Sequence, residues 1–401
     1  MPGMRFSKAI GLAGALLAAA ASNALDRPLR SVGGVLAAGP PRPSGLVFVV
    51  GGDNRPTGKG APLPRITRTL FEEIRLIRPD FVLWTGDTVY GYGDTPAELE
   101  KEYQDFEALA GRAGVPVFNA PGNHEIHRTD DSPCSSPQGP PVPGSPDSEA
   151  RFIRRFGNLY GSFDAGAAHF ISLDTDAYCH EDSIEGPQLE WLQRDLEEHR
   201  NAAAIFVFSH TEFFSSPQID PDATKGHEPL RNRDELHALF RKYPVRAVFS
   251  GHEHLFWREA HDGIDYFVAG GGGAPLYATP DRGGFGHYIV VALSGAGVRY
   301  DLVEPGRLFV ENGAPARNGK RIWVVNSNDA DIPLRGVAVD VPALGPCRGV
   351  RAESELKRRD GTPVPVPISR VSCSSSRGRL HVALELTSPR GTSVPIVVRG
   401  K

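Results

Sequence analysis

The sequence predicts an α/β core followed by a small all-β unit. Three observations carry this. Between Leu46 and Phe249, short apolar runs alternate with stretches whose apolar residues recur at helical spacing. After His254 the helical patterns stop, and the remaining runs are short and strand-like. A chain of 401 residues also has room for two domains, at about 100–200 residues each. With 40% hydrophobic and 23% charged residues, the composition is that of a globular protein able to bury a sizeable core.

The first segment reads as an address and not as fold. Arg5 and Lys8 precede an apolar run from Ala9 to Ala21, and Ser22-Asn23-Ala24 supplies small residues for cleavage. This is the pattern of a secretory signal peptide over residues 1–24. The run is shorter than the ~20 residues a membrane-spanning helix needs. The expectation is export to a periplasm, cell surface or extracellular space, with no transmembrane segment. The 4 cysteines permit three pairings. In an oxidising compartment Cys134–Cys179 and Cys347–Cys373 are the expected ones, each within its own part of the chain.

The elements come in a regular order. Leu46–Val50 reads as a buried strand, and Ile66–Ile77 as a helix with Ile66, Leu70, Ile74 and Ile77 on one face. Phe81–Trp84 is a second strand. Pro96–Ala110 is a second helix, with proline in its first turn and acids near its start. Val115–Phe118 is a third strand. Asp130–Asp147, rich in Ser, Pro and Gly, reads as an inserted loop. Helices are expected at Arg151–Phe156, Leu189–His199 and Asp234–Lys242, and strands at His169–Leu173, Ile205–Phe208 and Val245–Phe249. Phe256–Arg258, Tyr266–Val268, Tyr288–Ala292 and Val298–Leu302 read as short antiparallel strands. Beyond about residue 306, Arg321–Val325, Gly336–Val341, Leu380–Leu386 and Val394–Val398 suggest a small β-sandwich. The expected units are residues 45–305 and 307–401.

Charge divides at the same boundary. Residues 307–401 carry 16 Lys and Arg against 8 Asp and Glu, and the rest of the chain carries 28 against 40, although the whole nets only −4. No polybasic or polyacidic partner is implied, and no nucleic acid. Lys357-Arg358-Arg359 reads as a solvated turn, without the interleaved aromatics of a nucleic-acid surface.

The residues just beyond each strand are more informative. The first strand leads into Gly51-Gly52-Asp53-Asn54-Arg55, the second into Gly86-Asp87-Thr88-Val89-Tyr90 and the third into Gly122-Asn123-His124-Glu125. Ile205–Phe208 leads into Ser209-His210, and Val245–Phe249 into Gly251-His252-Glu253-His254. In α/β sheets ligands bind beyond the carboxyl ends of the strands, so these residues should converge on one edge. Asp, Asn, Tyr and His without thiolate suit borderline-hard ions such as Fe, Zn or Mn. The set is too rich for one ion. Two ions sharing a carboxylate can clamp both the attacking and the leaving oxygen of an in-line displacement at phosphorus.

The succession Asp, GD, GNHE, His and GHxH resembles that of the calcineurin-like metallophosphoesterases, from about Leu46 to Leu302. Where that superfamily commonly has Asp-x-His, this chain has Asp53-Asn54-Arg55. Gly86-Asp87-Thr88-Val89-Tyr90 instead fits the GDxxY motif of the purple acid phosphatase branch, and His227-Glu228-Pro229-Leu230-Arg231 is also similar to that branch. The resemblance implies two mixed β-sheets packed face to face and flanked by helices. It implies one ion held by Asp53, Asp87, Tyr90 and His254, and a second held by Asp87, Asn123, His210 and His252: iron with zinc, manganese or a second iron.

The same resemblance implies hydrolysis of a phosphomonoester by metal-bound hydroxide. His124 would bind the phosphate or protonate the leaving oxygen, and His227 would assist in substrate binding. The alternatives are a phosphodiesterase of the same fold, and a non-catalytic scaffold whose rear domain docks to a surface. Arg55 stands where the branch has a small residue, and is open to two readings: a fork for a phosphate oxygen, or an ion-pair partner. Plant-type members carry a β-domain before the catalytic one, whereas here it comes after. Glu125 is expected to support ligands and not to be one, Asp174 and Asp176 to be structural, and Gly270–Gly273 to be a loop packed near the site.

Overall fold

The computed structural model describes residues 28–36, 45–126, 145–177, 182–217, 229–295, 297–316, 319–342, 347, 349–357, 360–376 and 379–399. The expected signal peptide, the pair Cys134–Cys179, His227 and most of the Asp130–Asp147 segment lie outside these residues.

The first unit runs β1 (Leu46–Gly51), α1 (Arg65–Ile77), β2 (Phe81–Trp84), α2 (Pro96–Ala113), β3 (Val117–Asn119), α3 (Ser145–Phe156), β4 (Gly161–Ala165) and β5 (Ala168–Ser172). It continues with α4 (Gly186–Glu198), β6 (Ala204–Phe208), α5 (Arg233–Phe240), β7 (Val245–Ser250), β8 (Phe256–His261), β9 (Ile264–Ala269), β10 (Tyr288–Ser294) and β11 (Gly297–Val303). One sheet has the order β11-β10-β1-β2-β3, and the other β4-β5-β6-β7-β9-β8. β1, β2 and β3 are parallel to one another, as are β5, β6, β7 and β9.

Alternation along β1 explains the layering. Phe48 and Val50 point into the space between the sheets, where Phe81, Phe170, Phe206 and Phe249 meet them. Val47 and Val49 point outward, against Leu70, Phe71 and Ile74 of α1. The outer face of the second sheet is covered by Leu192 and Leu196 of α4 and Leu236 and Phe240 of α5. The Phe48 ring lies 5.4 Å from that of Phe81 and 5.2 Å from those of Phe170 and Phe206, so one residue touches both sheets. The expected four layers are thus present. Thr95 starts α2 with a capping box closed by Glu98.

One expectation needs correction. The strands after His254 are not all antiparallel to their neighbours. β8 and β9 form a hairpin through Asp262 and Gly263, both at positive φ (49° and 85°). The hairpin returns β9 between β7 and β8, parallel to β7.

The second unit is two antiparallel sheets made from β12 (Leu308–Ala316), β13 (Gly319–Asn326), β14 (Ile332–Pro342), β15 (Arg351–Ser354), β16 (Ile368–Ser376), β17 (Arg379–Ser388) and β18 (Thr392–Arg399). Their orders are β12-β13-β18-β15 and β14-β17-β16. The expected Cys347–Cys373 disulfide is formed. β4, β15 and β16 lack the apolar runs that betray a strand. β16, ISRVSCSSS, is mostly exposed.

The two units share one apolar core. Ile332, Leu334, Val337 and Leu384 of the sandwich belong to the same buried cluster as Ile74 and Ile77 of α1. A β-bulge in β14 between Leu334 and Val337 re-aims Arg335 toward the first unit. Arg335 is buried and donates to Asp80 Oδ2 (3.1 Å), which also accepts from the Val47 amide (2.8 Å). At Gly336 the strand lies so close to α1 that a Cβ would come within 2.0 Å of the Arg75 carbonyl oxygen, so only glycine fits. Glu73 of α1 closes the junction. It accepts from Tyr288 Oη (2.8 Å) and from the amides of Gly306 (2.7 Å) and Leu308 (3.1 Å).

Stability measurements test this junction. Glu73→Ala leaves the buried Tyr288 hydroxyl and Leu308 amide, and the partly buried Gly306 amide, without an acceptor, and should cost about 3 kcal/mol of unfolding free energy by urea denaturation. Burial raises the Glu73 carboxyl from 4.5 to about 7, so the folded chain keeps a proton that the unfolded chain has lost. That contribution to stability is complete below pH 4.5 and disappears as pH rises through about 7. Glu73→Gln should remove this component of the pH slope.

Candidate metal centre

The carboxyl ends of β1, β2, β3, β6 and β7 meet at one edge of the two sheets, because the strands of each set run parallel. Asp53 comes after β1, Asp87 after β2, Asn123 and His124 after β3, His210 after β6, and His252 and His254 after β7. Asp53, Asp87 and His252 hold positive φ values of 58°, 56° and 67°. Non-glycine residues seldom adopt that conformation, and it turns each side chain sharply out of its strand direction.

Hydrogen bonds lock these turns. The Glu125 carboxylate accepts from the amides of Asp87 (2.9 Å), Thr88 (2.6 Å) and Gly122 (3.0 Å) and from Thr88 Oγ1 (2.6 Å). It clamps the second loop to the third. Asp53 Oδ1 accepts from the His252 amide at 2.9 Å, and Asp87 Oδ1 from the His124 amide at 3.1 Å. Gly272 donates to the Gly52 carbonyl and Ala274 to that of Asp53, so the Gly270–Gly273 loop packs beside the site, as anticipated. Asp176 and Thr175 form a buried brace at the end of β5, where Thr175 Oγ1 accepts from the amide of Thr211, next to His210. This is the structural role expected there.

The side chains converge as two sets that share Asp87. In the first, one ligand atom each from Asp53, Asp87 and His254 lies within 4.8 Å of the others, and all three residues are buried. His254 Nδ1 donates to the Pro275 carbonyl (2.6 Å), which leaves the Nε2 lone pair facing Asp53 Oδ1 at 3.5 Å. In the second set, His210 Nδ1 donates to the Thr85 carbonyl (2.8 Å), so Nε2 is again a bare lone pair. It faces Asn123 Oδ1 at 2.8 Å, Asp87 Oδ1 at 3.4 Å and His252 Nδ1 at 3.1 Å.

Acceptors gathered this way repel one another unless a cation lies among them. Asp53 Oδ2 has no hydrogen-bond partner although it is buried. A Cβ on Gly251 would come within 2.2 Å of that oxygen, so only glycine leaves room for the Asp53 carboxylate there. Burial first, and Asp87 second, push the Asp53 carboxyl well above the usual carboxylate range. Burial likewise raises Asp87, with Arg55 opposing, and lowers the His210 imidazole to about 4. The raised carboxyls mark missing positive charge, while the lowered imidazole stays neutral and keeps a lone pair to offer. The residues fit a pair of divalent or trivalent ions.

Other residues expected at the site fall in different places. His124 is buried, with Nδ1 against the Tyr90 carbonyl oxygen and Nε2 3.8 Å from Asp87 Oδ2. Burial and the Arg55 charge hold its pKa well below the ordinary value. Arg55 reaches in, its Nε buried, without a hydrogen-bond partner and 3.7 Å from Asp87 Oδ2, within ion-pair distance. The Tyr90 ring stands 5.9 Å from that of His124, and among the described residues no hydrogen bond joins its phenol to the cluster. Tyr92, two residues on, does touch the cluster. Its hydroxyl accepts from Asn123 Nδ2 at 2.9 Å, which turns Asn123 Oδ1 toward the histidines. Tyr277 stacks on His254 at 4.1 Å. Neither tyrosine sits in a motif that marks it.

Comparison with known proteins agrees with this geometry. The calcineurin-like phosphoesterase family model matches residues 63–256. The chain is 27% identical to zebrafish (Danio rerio) serine/threonine-protein phosphatase CPPED1, over 50% of this chain and 62% of that protein. It is 30% identical to mouse (Mus musculus) acid phosphatase type 7, over 50% of this chain and 45% of that one. The chain thus spans about half to three fifths of the length of these relatives. The purple acid phosphatase PPD1 of yellow lupin (Lupinus luteus) shares the fold, with a TM-score of 0.50 and 18% identity over 67% of this chain and 52% of that one. Motif order, sheet topology and these likenesses agree: the first unit of this chain is similar to the calcineurin-like phosphoesterases, and acid phosphatases are among the proteins it resembles.

Proposed function

We propose that this chain is an exported hydrolase of phosphoric esters that works with two metal ions and acts on phosphomonoesters. The observation that carries the proposal is the convergence of unprotonated nitrogen and oxygen lone pairs on both sides of Asp87. Asp53, Asp87 and His254 would hold one ion, and Asp87, Asn123, His210 and His252 the other. Such ions activate water as a nucleophile and neutralise charge on the phosphoryl oxygens.

The chain's own residues supply position. Thr85 and Pro275 fix the histidine tautomers through their carbonyls, and Tyr92 fixes the Asn123 amide. Arg55 is the residue best placed to grip a phosphoryl oxygen, since its buried Nε–H is unspent and points into the cluster. The other reading of Arg55, a partner for Asp87, is supported by the 3.7 Å separation and by the opposition of its charge to the rise of the Asp87 carboxyl. His124 offers Nε2 toward the same space, and carries a proton there only in acid because its Nδ1 proton is committed to Tyr90. Proton donation to a leaving oxygen is therefore a low-pH role. Tyr90, the remaining expected ligand, would add its phenol to the first ion. Export is supported by the pattern of residues 1–24 and by the Cys347–Cys373 disulfide.

An aryl phosphate assayed with purified full-length chain tests the reading. Turnover should require added Fe, Zn or Mn, stop on chelation and fall by at least about 100-fold in His252→Ala. Absence of metal-dependent turnover on a panel of mono- and diesters would overturn it. Arg55→Gln should raise KM about tenfold or more with the metal content unchanged. Unchanged KM would leave Arg55 as the Asp87 partner. Iron-loaded protein should absorb in the visible if Tyr90 ligates, and lose the band in Tyr90→Phe.

A further inference from the structure

A second group of metal-ligating side chains lies at the opposite end of the six-stranded sheet. Asp164 on edge strand β4 pairs directly with His169 on β5. His199 caps the C-terminus of α4 and stacks on His169, with ring centroids 3.5 Å apart. His169 lies at the start of β5, and β5, β6 and β7 are parallel. The group is therefore a strand's length, roughly 15 Å, from the loops that carry His210 and His252.

Asp195 orients both imidazoles. Its Oδ2 accepts from His169 Nε2 at 2.8 Å, and its main-chain carbonyl accepts from His199 Nδ1 at 2.8 Å. Ser162 holds Asp195 in turn, donating to Oδ1 at 2.8 Å. With those nitrogens committed, His169 Nδ1 and His199 Nε2 both face the Asp164 carboxylate, at 2.8 Å from Oδ1 and 4.0 Å from Oδ2. One ligand atom from each of the three residues lies within 4.8 Å of the others. Tetrahedral zinc, with bonds of about 2.0–2.2 Å, separates its ligand atoms by about 3.3–3.5 Å. The observed separations bracket that value. The two rings lie nearly parallel, at 12°, so His199, 28% exposed at a helix end, would swing out of the stack to bring its in-plane lone pair to an ion held by His169. A carboxylate or carbonyl on the far nitrogen of each ligating histidine is the usual support for a protein-bound metal.

We infer that Asp164, His169 and His199 form a second, separate cation site for a borderline divalent ion of the zinc type. The ion fastens edge strand β4 to the end of α4. Asp164 is 63% exposed, so the fourth position opens to solvent and takes water or a donor from another molecule. The competing arrangement is a proton: an imidazolium at His169 held between Asp164 and Asp195 gives the same contacts without a metal.

Zinc bound per chain after equilibrium dialysis of the full-length protein decides between them. Wild type should hold one equivalent more than His199→Ala, and one more than Asp164→Asn. Both variants should hydrolyse the aryl phosphate as wild type does. Asp164 is exposed and its amide isostere keeps the fold, so loss in that variant reports ligation. Equal zinc in all three proteins would overturn the inference in favour of the imidazolium. The difference is independent of how many ions the centre at Asp87 takes, so failure here leaves that reading standing.

Discussion

Two carboxylates buried side by side impose the main constraint on this protein. Asp53 and Asp87 are almost fully removed from water, and each raises the cost of ionising the other. An apolar surrounding does not tolerate such a pair without protons or cations to neutralise it. The surroundings are built for cations. The imidazoles of His210 and His254 arrive with their protons turned away, toward the main-chain carbonyls of Thr85 and Pro275. The strained backbone at Asp53, Asp87 and His252 is the local cost of bringing those atoms together.

The rest of the first unit holds the strained loops still. Parallel strands bring five loop starts to one edge, and the phenylalanines between the sheets, centred on Phe48, fix the spacing of the two halves of the site. Glu125 then ties the Asp87 loop to the Asn123 loop through four hydrogen bonds. The β-sandwich is not a passenger on this frame. Through Glu73, Arg335 and the close approach at Gly336 it completes the apolar core behind α1, whose other neighbour is β1. The charge boundary near residue 306 is thus a boundary in composition, while the packing runs across it.

Much of this was legible in the sequence where one signal dominated. β1, β2, β5, β6 and β7 are buried apolar runs, and each of those leading to the site ends in glycine or serine and then a ligand-type side chain. The separation of ligands into two sets sharing Asp87 came from resemblance and agrees with the distances. Strands β4 and β16 were not legible, because edge strands rich in polar residues carry no burial pattern. Tyr92 and Tyr277 were missed because their role lies in contact across loops, with Asn123 and His254, and not in spacing. Asp195 was hidden for the same reason. It acts on two histidines, one of them from strand β5 and not from its own helix. Arg55 was visible as an oddity, and the structure shows why it matters: its charge enters the cluster beside Asp87.

The central claim is that two cations flank Asp87. Anomalous scattering from crystals of metal-loaded protein tests it directly. The account predicts two peaks about 3.5–4 Å apart, with Asp87 between them, Asp53 and His254 on one side and Asn123, His210 and His252 on the other. A single peak, or none within bonding distance of Asp87, would contradict it.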